Sequence, residues 1–275
     1  YKRVQYAFPI IVACTFIINT FFIVYKGAKF LKLDDMPLWK ACAISFGIGG
    51  GTGIFSYFFI NPIIFKNGGE LPQGEHIEDG QVRSIHDNAE KFDPKTEYSM
   101  RYLQILTACC DSFAHGANDV ANSIGPFAAI YAIYKAGEVK KNAEMGNDAY
   151  WILSLGAAGI VLGLATYGYK ILYALGTKMA KLTPSRGICI ELGAAAVIIL
   201  GSRLGWPLST THCQVGATVG VALFEGVGGV NWKLLSKTIA GWLLTLVVVG
   251  GTTALLFAQG AYAPMVKYPS YVNSA

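Results

Sequence analysis

Long apolar segments recur along this sequence, and they constrain its fold more than any other feature. Each is mostly apolar over about 20 residues or more, the length that about 30 Å of hydrocarbon requires. They cover residues 4–24, 39–65, 102–134, 150–175 and 232–259. Only 14% of the 275 residues are charged, whereas soluble domains carry about 25%. We therefore predict an all-α, polytopic membrane protein.

The basic residues favour a membrane over nucleic acid as the partner. The net charge is +5, from 22 Lys and Arg against 17 Asp and Glu. The basic residues are spread among the connections between apolar segments, whereas a nucleic-acid-binding surface gathers them into a stripe. We expect contact with the lipid bilayer and no nucleic acid.

The second apolar segment, residues 39–65, contains a cluster of glycines. They occupy positions 47, 49, 50, 51 and 53. Small residues grouped in this way let two membrane helices approach each other. A phosphate-binding loop would need a following Gly-Lys-Ser/Thr, which this segment lacks. The cluster therefore predicts close helix packing.

A polar cluster lies inside the third apolar segment, residues 102–134. The stretch Ala114–Pro126 contains an acid, amides, a hydroxyl and an imidazole, and the whole segment lacks Lys and Arg. An ionisable side chain in a helix centre costs about 2.5–3.5 kcal/mol on insertion scales, so Asp119 indicates a functional site. The glycines and the Gly125-Pro126 pair favour a broken or re-entrant helix over one straight span.

A second interruption follows Thr183-Pro184-Ser185-Arg186. Residues 187–200 form an apolar run of about half a membrane crossing, residues 201–207 form a turn, and residues 208–224 form a second helix rich in Gly and Ala. Two such helices predict a re-entrant hairpin. Paired interruptions of this kind mark transporter sites near the bilayer midplane.

The second interruption carries chemistry that suits an oxyanion. Ser209, Thr210 and Thr211 stand at a predicted helix N-terminus, where hydroxyls join unpaired backbone N–H groups and the positive end of the dipole. The alternative is that these hydroxyls only bond to preceding carbonyls. His212 is either an orienting core residue or a ligand or proton carrier.

The first interruption carries chemistry that suits a small hard cation. Asn118, Asp119 and Asn122 present oxygens, and unwinding would add carbonyls. Because a carboxylate repels a nearby anion unless a cation intervenes, the two interruptions predict coupled binding of a cation and an anion. The alternative for the two asparagines is that they hold helices together, and His115 has the same two readings as His212.

Glu191 is an acid within an apolar run, and two roles remain open for it. Arg186 precedes it by five residues, which places the two side chains on different faces of a helix. Glu191 therefore either pairs with a neighbouring helix or lines an ion pathway.

These motifs resemble those of the inorganic phosphate transporter (PiT) family of sodium-coupled phosphate symporters. They are Gly116-Ala117-Asn118-Asp119-Val120-Ala121-Asn122 with a following Gly-Pro, Thr183-Pro184-Ser185-Arg186-Gly187 with Glu191, and Pro207-Leu208-Ser209-Thr210-Thr211-His212. The resemblance covers nearly the whole chain and fits the C-terminal half of a eukaryotic member, in which a hydrophilic cytoplasmic loop precedes the second signature.

The resemblance implies an inverted-repeat topology with broken transmembrane helices and a re-entrant helical hairpin. The family has two inverted repeats, each with an Asn-Asp signature and a Ser-Thr hairpin, and this sequence carries one copy of each. We therefore expect an N-terminal repeat upstream in the same protein. Residues 1–66 are then two transmembrane helices, residues 67–100 a hydrophilic cytoplasmic loop, and residues 101–275 the second transport repeat.

The resemblance also implies the roles of individual residues. Phosphate contacts are expected from Ser209, Thr210, Thr211 and Asn118, and sodium contacts from Asp119, Asn122 and Asn118. Pathway or orienting roles are implied for Glu191, His115, His212 and Arg186. No cofactor is expected, and sodium is a co-transported ligand.

The sequence thus predicts a plasma-membrane symporter that moves inorganic phosphate with sodium by alternating access, and not an enzyme. Proton coupling and a non-transporting phosphate sensor or receptor are the alternatives, and a homodimer is left open. An intramembrane hydrolase would use Ser209 or Cys109 as nucleophile and His115 or His212 as base. The sequence contains no Gly-x-Ser-x-Gly or His-Glu-x-x-His motif to support that activity.

Overall fold

The computed structural model describes residues 2–24, 36–66, 79–139 and 146–262. None of these residues lies in a β-strand. In chain order the α-helices are α1 Lys2–Val24, α2 Leu38–Phe55, α3 Asn61–Lys66, α4 Gly80–Asn88, α5 Pro94–Ala136, α6 Asp148–Gly163, α7 Tyr169–Tyr173, α8 Pro184–Arg203, α9 Thr210–Ala222 and α10 Trp232–Tyr262. The predicted all-α class is confirmed.

Several helical segments among the described residues are long and apolar enough to cross a membrane. They are Lys2–Phe21, Leu38–Lys66, Asp148–Lys178, Pro184–Ser202 and Trp232–Tyr262. In the second of these, a π-helical turn, Ser56–Ile60, joins α2 to α3. These segments confirm the polytopic membrane class, whereas the inverted-repeat topology stays a prediction.

Helices α1 and α2 pack closely because two of the clustered glycines face α1. A Cβ atom on Gly49 would lie 2.3 Å from Ile17 Cγ1 and 2.7 Å from the carbonyl oxygen of Ala13. A Cβ atom on Gly53 would lie 2.8 Å from Ala13 Cβ. Any larger side chain at these positions would push the helices apart, which confirms the predicted packing role for both glycines.

Helix α5, Pro94–Ala136, corrects one prediction. The sequence indicated breaks near Gly116–Asp119 and at Gly125-Pro126, but the structure has one uninterrupted α-helix over this region. The predicted breaks are therefore wrong. Pro126 removes only one intrahelical hydrogen bond, and a glycine inside a helix costs about 1 kcal/mol relative to Ala.

Packing between α5 and α8 forms the core and offsets those local costs. Leu103 of α5 and Ile188 of α8 belong to one buried apolar cluster. Ala114 of α5 packs with Ala195 and Ile198 of α8 in a second cluster. Beyond these clusters, the Asn118 amide donates to Ser202 of α8 at 3.0 Å, so the contact between the two helices continues into the region where the first break was predicted.

Helices α8 and α9 form a hairpin joined by residues 204–209. The 20 residues of α8 reach about 30 Å, whereas the 13 residues of α9 reach about 20 Å. Helix α8 is longer than the predicted half crossing because it begins at Pro184 and continues through the start of the predicted turn to Arg203. The re-entrant placement of the hairpin stays a prediction.

Part of the predicted hydrophilic loop, residues 67–100, is helical. Helix α4 begins after Asp79, whose carboxylate accepts the N–H of Gln81 at 2.9 Å. Helix α5 begins after Asp93, whose carboxylate accepts the N–H of Thr96 at 2.9 Å. Both acids are N-caps. Residues 67–78 lie outside the described residues, and the cytoplasmic location and the domain division stay predictions.

The chain divides into two compact units, Tyr1–Val230 and Asn231–Ala275. The first unit contains α1 to α9 and every residue of the candidate site. Helix α10 belongs to the second unit, and the Asn231 side chain caps its first turn by accepting the N–H of Leu234 at 3.1 Å.

Candidate functional site

Two asparagines on α5 tie that helix to the α8–α9 hairpin. Asn118 is buried, and its Nδ2 donates to Ser202 Oγ at 3.0 Å. Asn122, one turn later, donates from Nδ2 to Asn118 Oδ1 at 2.8 Å and to the carbonyl of Leu208 at 3.0 Å. The amides therefore bridge the end of α8 and the start of α9, as the helix-joining alternative expected.

Asp119 faces the first turn of α9. The hydroxyl of Thr210 lies 2.9 Å from Asp119 Oδ1 and 3.1 Å from Oδ2, and Thr210 is buried. The contact joins the acid of the first interruption to a hydroxyl of the second. The structure therefore brings together the two groups that the sequence assigned to a cation and an anion.

The N-terminus of α9 is capped by Ser209. Its Oγ accepts the N–H of His212 at 3.4 Å and lies 2.6 Å from His212 Nδ1. The N–H groups of Thr210 and Thr211 lie in the first turn, where a helix supplies no acceptor. This end of α9 has the polarity that an anion requires.

Pro126 changes the backbone of α5 close to the asparagines. A proline has no N–H, so the carbonyl four residues earlier, that of Asn122, loses its intrahelical donor. Sequence analysis expected carbonyls freed by unwinding. The continuous helix instead leaves one such carbonyl, and it belongs to a residue already in the site.

A cavity of about 470 Å³ opens beside the asparagines. It is lined by Asn19, Ile23, Phe113, Ala114, Ala117, Asn118, Ala121, Asn122, Ile198, Ile199, Ser202, Gly205, Trp206 and Pro207. These residues come from α1, α5, α8 and the hairpin connection, and none of them carries a charge. Its volume lies within the range of small-molecule sites.

Glu191 and Arg186 lie away from the place where Asn118, Asp119 and Asn122 of α5 meet the end of α8 and the start of α9, which we call the junction. Glu191 is hydrogen-bonded to the hydroxyl of Thr107 on α5, so it has a partner on a neighbouring helix. Arg186, near the start of α8, pairs with Glu225 and donates to the carbonyl of Glu90 at 3.1 Å. Sixteen residues of helix, about 24 Å, separate Arg186 from Ser202, so it does not touch the junction.

His115 lies on α5 one turn before Asp119. Its Nε2 is 3.6 Å from Asp111 Oδ1, and neither atom has a hydrogen-bond partner among the described residues. Asp111 had no role in the sequence interpretation. The structure places both side chains on the buried side of α5, between Glu191 and the junction.

Sequence reasoning missed Ser202, Asn19 and the carbonyl of Leu208. Ser202 belongs to the last turn of α8, which had been assigned to the turn of the hairpin. A helical reading of Gly201-Ser202-Arg203 would have placed this hydroxyl at the end of α8. Asn19 is a polar residue within the apolar segment of α1. Its position inside that apolar run was the only sequence feature that could have indicated a place beside a cavity.

Comparison of the sequence with protein families identifies the family of this chain. The sequence model of the phosphate transporter family matches residues 1–253. The chain belongs to the phosphate transporter family. The prediction of a transporter and not an enzyme is confirmed by this membership, although Ser209 and His212 make the kind of contact that a hydrolase would use.

Relatives and a solved structure agree with that assignment. The phosphate-repressible phosphate permease of Neurospora crassa is 42% identical over 71% of this chain and 33% of its own length. The sodium-dependent phosphate transporter 1 of Xenopus tropicalis is 36% identical over 67% of this chain and 26% of its own length. A solved structure described as the sodium-dependent phosphate transporter has a TM-score of 0.69 and 32% identity, covering 93% of this chain and 56% of that one. The chain thus spans a third or less of these two relatives.

Proposed function

We propose that the full-length protein moves inorganic phosphate together with sodium across the plasma membrane by alternating access. The observation that carries this proposal is the contact of Thr210 Oγ1 with both carboxylate oxygens of Asp119, at 2.9 and 3.1 Å. It couples an acid suited to a cation with a helix N-terminus suited to an anion. This chain supplies one half of the site, and an N-terminal repeat of the same protein supplies the other.

Sodium binds at Asp119 and Asn122 in this proposal. Hard cations take oxygen ligands, and the Asp119 carboxylate, the side-chain oxygens of Asn118 and Asn122, and the freed carbonyl of Asn122 supply them. The neutral amides orient the site through Ser202 and the Leu208 carbonyl. A single carboxylate leaves the bound sodium with little excess negative charge around it, so the ion is able to leave again.

Phosphate binds at the first turn of α9. The N–H groups of Thr210 and Thr211, the hydroxyls of Ser209, Thr210 and Thr211, and Asn118 from α5 supply donors. The described contacts of Asp119 and Thr210 include no Lys or Arg. Neutral donors hold the anion less tightly than a permanent cation would, and a transported ion must be released as well as bound.

The Thr210 hydroxyl explains how the two ions depend on each other. It has one hydrogen, which it shares with the Asp119 carboxylate in the present structure. A sodium ion on Asp119 would take the hydroxyl oxygen as a further ligand and turn the hydrogen away. That hydrogen then becomes available to phosphate, and the sodium charge removes the repulsion between the carboxylate and the anion.

The membrane potential would drive uptake. Each positive charge that moves inward through 100 mV releases about 2.3 kcal/mol. Excess sodium charge over phosphate charge therefore couples the potential to phosphate accumulation. Relatives named sodium-dependent phosphate transporters support sodium as the coupling ion.

The direct test is phosphate uptake by the full-length protein in liposomes. We expect uptake that follows an inward sodium gradient and stops when choline replaces sodium. Uptake that follows a proton gradient and ignores sodium would overturn the sodium assignment. Sodium-dependent phosphate binding without flux would overturn transport in favour of a sensor or receptor.

The coupling step has its own matched pair of variants. Thr210→Val removes the hydroxyl that joins the two ions, and Thr218→Val removes another buried hydroxyl of the same helix, one that donates to the Gln214 carbonyl at 2.9 Å. We expect the dependence of phosphate affinity on sodium to fall about tenfold or more in the first variant, because a hydrogen bond to a charged group contributes about 1.5–3 kcal/mol. Equal effects in both variants would contradict the role of Thr210.

A further inference from the structure

We propose that Asp111 and Glu191 form a proton-binding site at the α5–α8 interface, and that its proton weakens cation binding at Asp119. The inference rests on the proposed function, because it assigns a regulation to the same cation site. It concerns an acid, Asp111, that the sodium and phosphate contacts leave unused.

The geometry begins with a polar stripe along α5. Thr107, Asp111, His115 and Asp119 follow one another at intervals of four residues, so each side chain neighbours the next, while the row turns by about 120° around the helix from end to end. Thr107 meets Glu191 at one end of the stripe, and Asp119 meets Thr210 at the other. Asp111 and Asp119 are eight residues apart, which is about 12 Å along the helix.

Asp111 is a buried acid without a donor. Its residue exposure is 6%, and its Oδ1 has no hydrogen-bond partner among the described residues. The nearest basic atom is Nε2 of His115 at 3.6 Å, which exceeds hydrogen-bond distance. A buried ionised carboxylate without donors is strongly disfavoured, and a bound proton removes that cost.

The Thr107 hydroxyl serves two acceptors, one of which is Glu191. The Thr107 hydroxyl lies 3.0 Å from the carbonyl of Gln104 and is also hydrogen-bonded to Glu191 Oε2. A hydroxyl has one hydrogen and two acceptor sites. Its one hydrogen is therefore shared between the Gln104 carbonyl and Glu191, and a proton on Glu191 would allow a second hydrogen bond at this contact.

The described helical stretches around this pair carry no fixed positive charge. The titratable groups that act on Asp111 or respond to it are Glu191 of α8, Cys213 of α9, and Cys110 and His115 of α5. The neighbouring stretches of α1, α6, α8 and α9 contain no Lys or Arg over residues 4–24, 149–163, 187–202 and 210–222. An ionised Glu191 disfavours the charge of Asp111, so a proton bound to this pair relieves the repulsion.

A proton bound to Asp111 or Glu191 changes the cation affinity at Asp119 electrostatically. It removes one negative charge about 12 Å away, and at an effective dielectric constant of about 20 this changes cation affinity about tenfold. The coupling is reciprocal, so sodium at Asp119 weakens proton binding by the same factor. Sodium binding should therefore tighten as pH rises.

The first test measures sodium binding to the full-length protein without phosphate, with radioactive sodium, from about pH 5 to about pH 9. We expect sodium affinity to rise about tenfold across this range in the unchanged protein. Asp111→Asn should lose most of this rise, whereas Ser112→Ala, a control at the next and exposed position of α5, should keep it. An unchanged rise in Asp111→Asn would overturn the proposal.

The second test is independent of sodium. Infrared absorption of protonated carboxyl groups should contain a component that titrates in this range, that is lost in Asp111→Asn and that persists in Ser112→Ala. Identical spectra for the two variants would overturn the proton site. The loss of one bound sodium in Asp111→Asn would also overturn it, because Asp111 would then be a sodium ligand. Absence of sodium binding at every pH would contradict the proposed function instead, while the infrared titration would still decide the proton site.

Discussion

The two ends of α8 hold their polar neighbours in opposite ways. Near Pro184, the guanidinium of Arg186 is 7% exposed, pairs with Glu225 and lies 4.6 Å from the centre of the Phe92 ring. Near the other end, Ser202 accepts a hydrogen bond from the neutral amide of Asn118 at 3.0 Å. One end is fixed by a permanent charge and the other by exchangeable neutral groups.

The two ends therefore differ in how easily their polar contacts break. We call the Arg186–Glu225 pair at the first end the anchor. A buried ion pair is costly to break, because loss of one partner leaves the other charge uncompensated. Amides and hydroxyls change partners at lower cost, since each bond contributes about 0.5–1.5 kcal/mol net. The end with neutral groups is therefore the one at which we propose that ions bind and leave.

The largest expected effect is at the anchor. Arg186→Ala should lower the free energy of unfolding of the full-length protein by about 3 kcal/mol, the low end for a buried pair because the Glu225 side chain is 17% exposed. Thermal melting in detergent measures this change. Arg101→Ala is the control, since Arg101 stacks on Tyr98 and Tyr102 outside the core. Equal melting shifts, or a change in sodium affinity of the folded protein, would contradict an anchoring role.

The next largest effect is at the other end of α8. Asp119→Asn should weaken sodium binding about 10-fold to 100-fold with little change in melting, because it removes the charged oxygen but keeps the shape. Titration of sodium-activated phosphate uptake measures the change. Asp79→Asn removes a carboxylate from the N-cap of α4, where asparagine caps equally well, and should leave activation unchanged. Retained sodium activation in Asp119→Asn would remove this acid from the site.

A smaller effect is expected where α8 positions Asn118. Ser202→Ala removes the acceptor of the Asn118 amide and should lower phosphate affinity about fivefold, the equivalent of one neutral hydrogen bond. Equilibrium binding of radioactive phosphate measures it. Ser99→Ala is the matched control, since Ser99 is a buried serine of α5 that bonds to its own helix at Lys95. A greater loss in the control would show that packing, not positioning, accounts for the change.

The smallest effect is the response of the anchor to acid. The N–H of Glu90, at 2.8 Å from Glu225 Oε2, is the main cause that lowers the pKa of Glu225, and the bond from Arg186 adds to it. A lowered folded-state pKa contributes stability that is present above the unfolded value of about 4.3 and is lost as pH falls through the folded value. Melting temperature should therefore fall below about pH 4, and Glu225→Gln should remove part of that fall. A pH response equal to that of the unchanged protein would contradict the assignment.

The sequence predicted most of the membrane helices, whereas its assignment of the site residues stays a prediction. Length and apolar content alone place Lys2–Phe21, Leu38–Lys66 and Trp232–Tyr262 as spans. The sequence predicted that the two interruptions bind a cation and an anion together, and the contact of Asp119 with Thr210 joins these interruptions across 91 residues of sequence.

The sequence did not predict which polar groups pair at the α5–α8 interface. The bonds of Asn118 to Ser202 and of Thr107 to Glu191 depend on the rotation of α5 about its axis, and no local pattern specifies that rotation. The continuity of α5 was missed for a related reason. Local glycine and proline signals favour a break, whereas packing against α8 decides the outcome.

A density map of the full-length protein in sodium phosphate would test the central claim most directly. We predict anion density within hydrogen-bond distance of the first-turn N–H groups of α9, and cation density between Asp119 and that anion. Anion density beside Arg186, with none at the N-terminus of α9, would contradict it.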